Sequence, residues 1–313
     1  MNKEMTRYLE GFFNVLAPLE VHETFKNMAL LPPTQLFSFM KAVRTKEMEQ
    51  LLETDFWKHH RQIIQQNVSF VQAESLFTEH EIDDLMKYLF VDCNIWVLFL
   101  AIQIQNESFV QNHLSFHHEE RVIKALEEGN GVILGQLHWG PFQLLAPAML
   151  YKGYSVFQFF GEKNAEKLMR NLVSVYFPEE QSKAFKTVTV PENGFLFKAI
   201  KALKRNELVS IPLEVSGSDI KPKQVVSFLG EKVYAPEGAC AMAHLSKAPI
   251  IMVRVESEED HLHIYFDPPV YVGQKSEIEE KNKFLFAKAE AYVKEKPEQW
   301  RGWSFLEQML VKK

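Results

Sequence analysis

Two spacings of apolar residues divide this chain. Before about residue 125 they recur every three to four positions, the period of a helix that buries one face. Segments 56–70 and 78–104 read as amphipathic helices, and the second opens on Thr78-Glu79-His80-Glu81, a capping-box pattern. The run MALLPP at 28–33 breaks the period, and Thr34 can cap the helix that follows. A further helix is expected over 119–128, ending at Gly129-Asn130, with His113, His117 and His118 on its approach.

From 131 the texture changes to short apolar runs alternating with helical periods. Strands are expected at 132–134, 155–160, 187–190, 208–213, 225–229, 249–255 and 261–266, and helices at 164–176, 194–204, 238–246 and 278–296. The charge-rich segment 256–260 reads as a hairpin turn. Such alternation predicts an α/β sandwich with a mixed, mostly parallel sheet. The expected organisation is a helical region, 1–125, packed on an α/β domain, 126–313.

Composition narrows the class without changing the fold. With 46% hydrophobic and 24% charged residues among 313, the chain can bury a substantial core. Its 35 Lys+Arg against 41 Asp+Glu give a net charge of −6, which argues against a nucleic-acid partner. Cys93 and Cys240 lie far apart in apolar surroundings, so both are expected as buried free thiols in a reducing compartment. The opening MNKEMTRYLEGFF lacks the basic-then-apolar pattern of a signal peptide. The longest apolar stretch, IWVLFLAI at 95–102, falls well short of the ~20 residues of a spanning helix. The expected location is the cytoplasm, with peripheral contact to the inner face of the membrane left open.

The candidate chemistry gathers in GVILGQLHWGPFQLLAPAML, 131–150. A buried strand delivers His138 into a Trp-Gly-Pro turn, and a helix is expected to follow with Pro141 at its first position. The carboxyl end of a strand that turns into a helix is where open α/β sheets place their ligands. A histidine there can serve as a general base. Free backbone N–H groups around Gly140 to Phe142 could hold an oxyanion.

Strand–His-x4-acid–helix resembles the signature of the glycerolipid and lipid A acyltransferases, and further blocks resemble the late acyltransferases of lipid A biosynthesis. RQIIQQNV at 61–68 followed by a helix is similar to that family's N-terminal helices. Phe228-Leu229-Gly230 with GACAMAHLSKAPIIMV resembles a second block, and Pro297-Glu298-Gln299-Trp300 its C-terminal signature. The likeness covers roughly 55–305. It implies a glycerolipid-acyltransferase-like sandwich in which His138 deprotonates a hydroxyl or amine that attacks an acyl thioester, with no acyl-enzyme. The resemblance implies substrate-holding roles for Arg170, whose alternative is a solvated helix charge, and a site role for Glu214, which matches a family acid after a buried strand. Backbone N–H groups near Gly140 would stabilise the oxyanion. Phe157, Phe159 and Phe160 could line an acyl pocket or simply be core. Lys163, Lys167, Arg170, Lys221 and Lys223 could form a basic rim for an acyl carrier protein, or a solvated face. No cofactor is implied beyond acyl-carrier-protein or CoA thioester as co-substrate.

The departures from the family pattern are specific. The acid five residues after the histidine is Gln143, expected here to orient the ring as an amide. No membrane anchor of the kind typical of the lipid A enzymes is expected, and Gly302-Trp303-Ser304-Phe305-Leu306-Glu307 replaces the basic residues after the C-terminal Trp. Both point to a soluble or carrier-tethered acceptor. A thioester hydrolase using the same histidine, or a catalytically degenerate acyl-binding protein, are the alternatives. His261-x-His263 has strand spacing that puts both rings on one face, but no third metal ligand is in view, and no metal is expected.

Overall fold

The computed structural model describes residues 54–71, 79–93, 103–104, 106–161, 163–190, 194–214, 224–258 and 261–311, with 35, 38, 77 and 192 as isolated positions. The expected break at 28–34, the Thr78 cap, the apolar run at 95–102, Lys221, Lys223 and the turn at 259–260 lie outside them.

Helix α1 (Asp55–Phe70) starts where the Thr54 hydroxyl accepts the Trp57 N–H at 3.2 Å. Its buried residues, Trp57, His60, Ile64, Asn67 and Val68, follow the helical period. α2 (Glu79–Lys87) runs into a π-helical turn, Tyr88–Asp92. α3 (Glu107–His113), capped by the Asn106 side chain, leads into β1 (Leu114–His117) and then α4 (Glu120–Glu127). The alternating part follows: β2 (Val132–Gln136), α5 (Leu145–Tyr151), β3 (Val156–Phe160), α6 (Lys163–Tyr176), α7 (Glu179–Ala184), β4 (Phe185–Thr189), α8 (Phe195–Leu203) and β5 (Leu208–Pro212). A hairpin of β6 (Gln224–Phe228) and β7 (Glu231–Ala235) precedes α9 (Gly238–Ser246), β8 (Ile250–Glu258), β9 (His261–Phe266) and α10 (Ile278–Glu295). Turns at Pro297–Gln299 and Arg301–Ser304 and a short α11 (Leu306–Met309) complete the order.

Seven strands form one sheet in the order β1-β9-β8-β2-β5-β3-β4. The five from β8 to β4 are parallel, β9 runs antiparallel to β8, and β1 is parallel to β9. Every residue of β2 is buried, as a central strand covered on both faces requires. Register places Ser210, Gln158 and Thr187 on one face, where α6 lies and Glu166 is held by the hydroxyls of Thr187 and Thr189. Burial alone would raise the Glu166 carboxyl, but those two hydrogen bonds keep it below its ordinary value. α5 and α6 both pack on α7 in this layer. α8 and α9 pack together on the opposite face, where Gly238 stands against Ile211. The fold is therefore the expected α/β arrangement around a mixed, mostly parallel sheet.

Three details correct the sequence expectation. β1 sits within the segment expected to be almost entirely helical; four residues carry too short a period to reveal a strand whose partner lies 146 positions away in the chain. The segment 256–260 is not all turn, because β8 continues to Glu258 and buries Glu256. That carboxylate is tolerated because Arg254 and Lys296 pair with it at 3.1 and 2.7 Å. Pro141 caps a single turn of 3-10 helix, Phe142–Leu144, and the α-helix begins only at Leu145. Cys93 and Cys240 are buried and free, as expected, and burial pushes both thiols up to about 12.

Candidate active site

β2 and β5 are neighbouring parallel strands at the centre of the sheet, and Gln136 pairs with Pro212 at their carboxyl ends. Two residues beyond each lie His138 and Glu214, so equal steps from a matched register bring them together. Glu214 Oε1 is 3.0 Å from His138 Nδ1 and also accepts the His138 backbone N–H at 2.5 Å. The Glu214 side chain is 1% exposed and that of His138 22%. An ionised carboxylate only accepts, so Nδ1 carries the hydrogen and the Nε2 lone pair is left free. Nε2 makes no hydrogen bond among the described residues. Phe142 and Phe305 meet the imidazole edge-on, with ring centroids 4.6 and 5.4 Å away, and hold its orientation.

The loop carrying the histidine is held from the far end of the chain. Gly140 N–H donates to Gln299 O and Arg301 N–H to His138 O, each at 2.7 Å, so Trp139 and Trp300 pair as an antiparallel bridge. Both indoles are fully buried; Trp139 Nε1 donates to Glu256 and Trp300 packs edge-on against Trp303. Gln299 Oε1 accepts from the hydroxyl of the half-buried Tyr88 at 2.6 Å, and Asn67 of α1 donates to Trp303 O at 2.8 Å. The Pro297-Glu298-Gln299-Trp300 stretch thus acts as a strap over the His138 loop. Phe305 and the backbone of Gln299 and Arg301 were not among the expected site residues; the motif was visible, but nothing in its composition says what it clasps.

The other expected residues fall in different places. The Gly140 N–H does not face an oxyanion, because Gln299 O takes it. Gly140 is at φ +50, and a Cβ there would lie 2.4 Å from Val255 O, so the position needs glycine for close packing. The unpaired donors lie one step on: among the described residues, the N–H groups of Phe142 and Gln143 make no hydrogen bond, since the 3-10 turn uses only those of Leu144 and Leu145. Gln143 does not orient the ring as expected. Its Oε1 is buried without a partner, while the carboxylate of Glu214 occupies Nδ1. Phe160 ends β3 half-buried against the core, and Phe157 and Phe159 are core with their rings in contact. Lys163, Lys167 and Arg170 share one exposed face of α6, whose start follows the carboxyl end of β3. Arg170 pairs with Glu166 at 3.8 Å and has no contact with His138.

His117, expected on the approach to the helix at 119–128, ends β1 and brings its Nε2 within 3.0 Å of His263 Nδ1. Even with this third histidine beside His261, no group of three or more ligands is arranged to hold a metal among the described residues.

The fold and site define an α/β protein of the kind that works at the carboxyl edge of a parallel sheet, with a histidine–carboxylate pair at that edge. The family described as bacterial lipid A biosynthesis acyltransferase matches residues 26–305, and the chain belongs to it. Its general class is therefore acyltransferase. No curated protein matches the chain in sequence. Among the described residues, no helix is long and apolar enough to cross a membrane.

Proposed function

We propose that this chain moves an acyl group from an acyl-carrier-protein or CoA thioester to a hydroxyl or amine of a soluble or carrier-tethered acceptor. The observation that carries the reading is the 3.0 Å contact between Glu214 Oε1 and His138 Nδ1, which leaves Nε2 as an oriented base. Nε2 takes the proton of the acceptor as its oxygen or nitrogen attacks the thioester carbonyl. The tetrahedral intermediate places its negative oxygen toward the N–H groups of Phe142 and Gln143. The C–S bond then breaks, and the imidazolium returns its proton to the departing thiolate. Glu214 stabilises the imidazolium between these steps, and no acyl-enzyme forms. The exposed row Lys163, Lys167 and Arg170 supports docking of an acidic carrier near the same edge. A site with these parts suits a protein at the cytoplasmic side, soluble or peripheral to the membrane.

The test is thiol release, followed by mass spectrometry, from a panel of acyl-CoA and acyl-carrier-protein thioesters with and without hydroxyl and amine acceptors. Wild type should release thiol and acylate an acceptor, and His138→Ala should lower the rate by about 10²–10⁴, the usual weight of a general base. Release that ignores His138→Ala, or an acyl group trapped on a serine or cysteine, would overturn the mechanism. Thiol release with free acid as the sole product would make the chain a hydrolase.

A further inference from the structure

Three oxygen atoms around the histidine–glutamate pair are buried and have no hydrogen-bond partner: Gln136 Oε1, Gln143 Oε1 and Glu214 Oε2. Gln136 is the last residue of β2, two before His138, and its register partner Pro212 is two before Glu214. Gln143 belongs to the 3-10 turn whose Phe142 touches the imidazole, and that turn packs on β8, the strand flanking Gln136 on its other side. Gln136 and Glu214 therefore stand at the carboxyl ends of the two central strands, and Gln143 in the turn that follows β2. Gln136 is 3% exposed and Glu214 2%. Polar atoms buried at that level are almost always paired, so an unpaired set marks something still to be bound.

The strap's Trp300 Nε1 and the β5 hydroxyl of Ser210 are likewise buried without a partner, but the three oxygens beside the pair are all acceptors. Two are amide carbonyl oxygens and one is a carboxylate oxygen, and each accepts hydrogen bonds without being able to give one. A phosphate or carboxylate would set its own negative charge against Glu214 Oε2, and an ester has no donor to give any of the three. A plain alkyl group would bury them without partners. A ligand rich in N–H or O–H would complete them, and the buried carboxylate favours one that carries positive charge.

We infer that the acyl acceptor carries, beside its nucleophilic group, at least one further hydrogen-bond donor, and that its class is the amino alcohols. Gln143 and Gln136 then read the acceptor, while Glu214 both positions His138 through Oε1 and meets the acceptor through Oε2. The identification of this ligand as the acceptor rests on the acyl-transfer reading; the donor-rich character of the ligand rests on the three oxygens alone. It also gives the amide at 143 a use: with the ring already held from β5, that position is free to recognise substrate.

The test is binding of 3-aminopropan-1-ol, propane-1,3-diol and propan-1-ol to the intact chain without any thioester, by ligand-observed NMR titration. The three share chain length and one hydroxyl, and differ only in the second group: ammonium, hydroxyl or none. Wild type should bind the amino alcohol at least fivefold more tightly than propan-1-ol, with the diol between them. Gln143→Leu and Gln136→Leu should each cut that advantage at least threefold. If one variant does not fold, the other decides, and if neither folds the wild-type ranking decides. Equal affinity for the three probes, binding of none of them, or an advantage unchanged in the folded variants would overturn the inference, the oxygens then being hydrated or paired within the protein. Thiol release on the same preparations separates the two readings. A donor preference without His138-dependent release would sink acyl transfer and keep the ligand class; release without the preference would do the reverse.

Discussion

At the scale of single residues, the family pattern assigns the orienting of one imidazole to position 143, here an amide, while the fold brings up a carboxylate at 214. The geometry separates them, since only Glu214 reaches Nδ1. A second carboxylate at 143 would join a site that already holds a buried negative charge, and two carboxylates in one site do not ionise together easily. Gln143→Glu should therefore set a second negative charge against that carboxylate, and the rate of thiol release should fall. Glu214→Gln removes the group that sets the tautomer, a change that costs about 10⁴ in the analogous serine-protease aspartate. Thiol-release rates of wild type, both single variants and the exchanged double variant would check this. A faster Gln143→Glu enzyme beside an unimpaired Glu214→Gln would show that position 143, and not 214, governs the ring.

At the scale of elements, the strap at 297–305 is what keeps the His138 loop in register with the sheet. Its tolerance for added volume is small. A Cβ on Gly302 would lie 2.0 Å from the ring carbons of the fully buried Trp300, and one on Gly140 would meet Val255 O from a left-handed backbone. Gly302→Ala should cost about 1–3 kcal/mol as overpacking. Gly140→Ala adds backbone strain of roughly 1–2 kcal/mol to a similar clash. Chemical denaturation should show both losses, and thiol release at a temperature where each variant stays folded should fall because His138 is displaced. Midpoints unchanged from wild type would mean that the strap is not fitted this tightly. This level also shows what could be read beforehand. β2 and β5 were legible as short, mostly apolar runs, and His138 and Glu214 as polar residues just past them. Their contact was not, because it depends on the register of two strands whose site residues are 76 positions apart. The family's His-x4-acid spacing assigned the ring to Gln143 instead. The strap was legible as a motif but not as a clasp, for the same reason: its partners, Trp139, Tyr88 and Asn67, are distant in the chain. β1 and the buried Glu256 escaped because their stability comes from neighbours on β9, β8 and α10 rather than from their own pattern.

At the scale of the whole molecule, the sheet ends on one side in a seam of histidines. β1 is held to β9 by four residue pairs, and their exposed face carries Ser115 and His117 against His261, His263 and Tyr265. Ser115 bonds His261 at 2.8 Å, His117 bonds His263 at 3.0 Å, and the His117 ring stacks on Tyr265. In the His117–His263 bond one ring must donate and the other accept, so both cannot be protonated at once. Burial, together with the charges of neighbouring histidines, lowers His117 and His263 below their ordinary value of 6.5, against smaller upward pulls from Glu256 and, for His263, Glu258. Lys296 and Arg254 also lie beside this group and balance Glu256. The sign follows from linkage. With the folded values below the unfolded one, the unfolded chain binds protons more readily, so the seam's contribution is complete above about 6.5 and is lost as pH falls through the lowered folded values. The expected outcome is that protection of the amides across 114–117 and 261–265, corrected for the intrinsic exchange rate at each pH, falls on acidification below about 6.5 before that of the central strands β2 and β5. His117→Phe keeps a ring to stack on Tyr265 but has no proton to take up, and it should flatten that dependence. Hydrogen exchange between pH 5 and 8 with both proteins would decide it. Equal protection of β1 across that range in wild type would mean that the histidines titrate alike in the folded and unfolded chain.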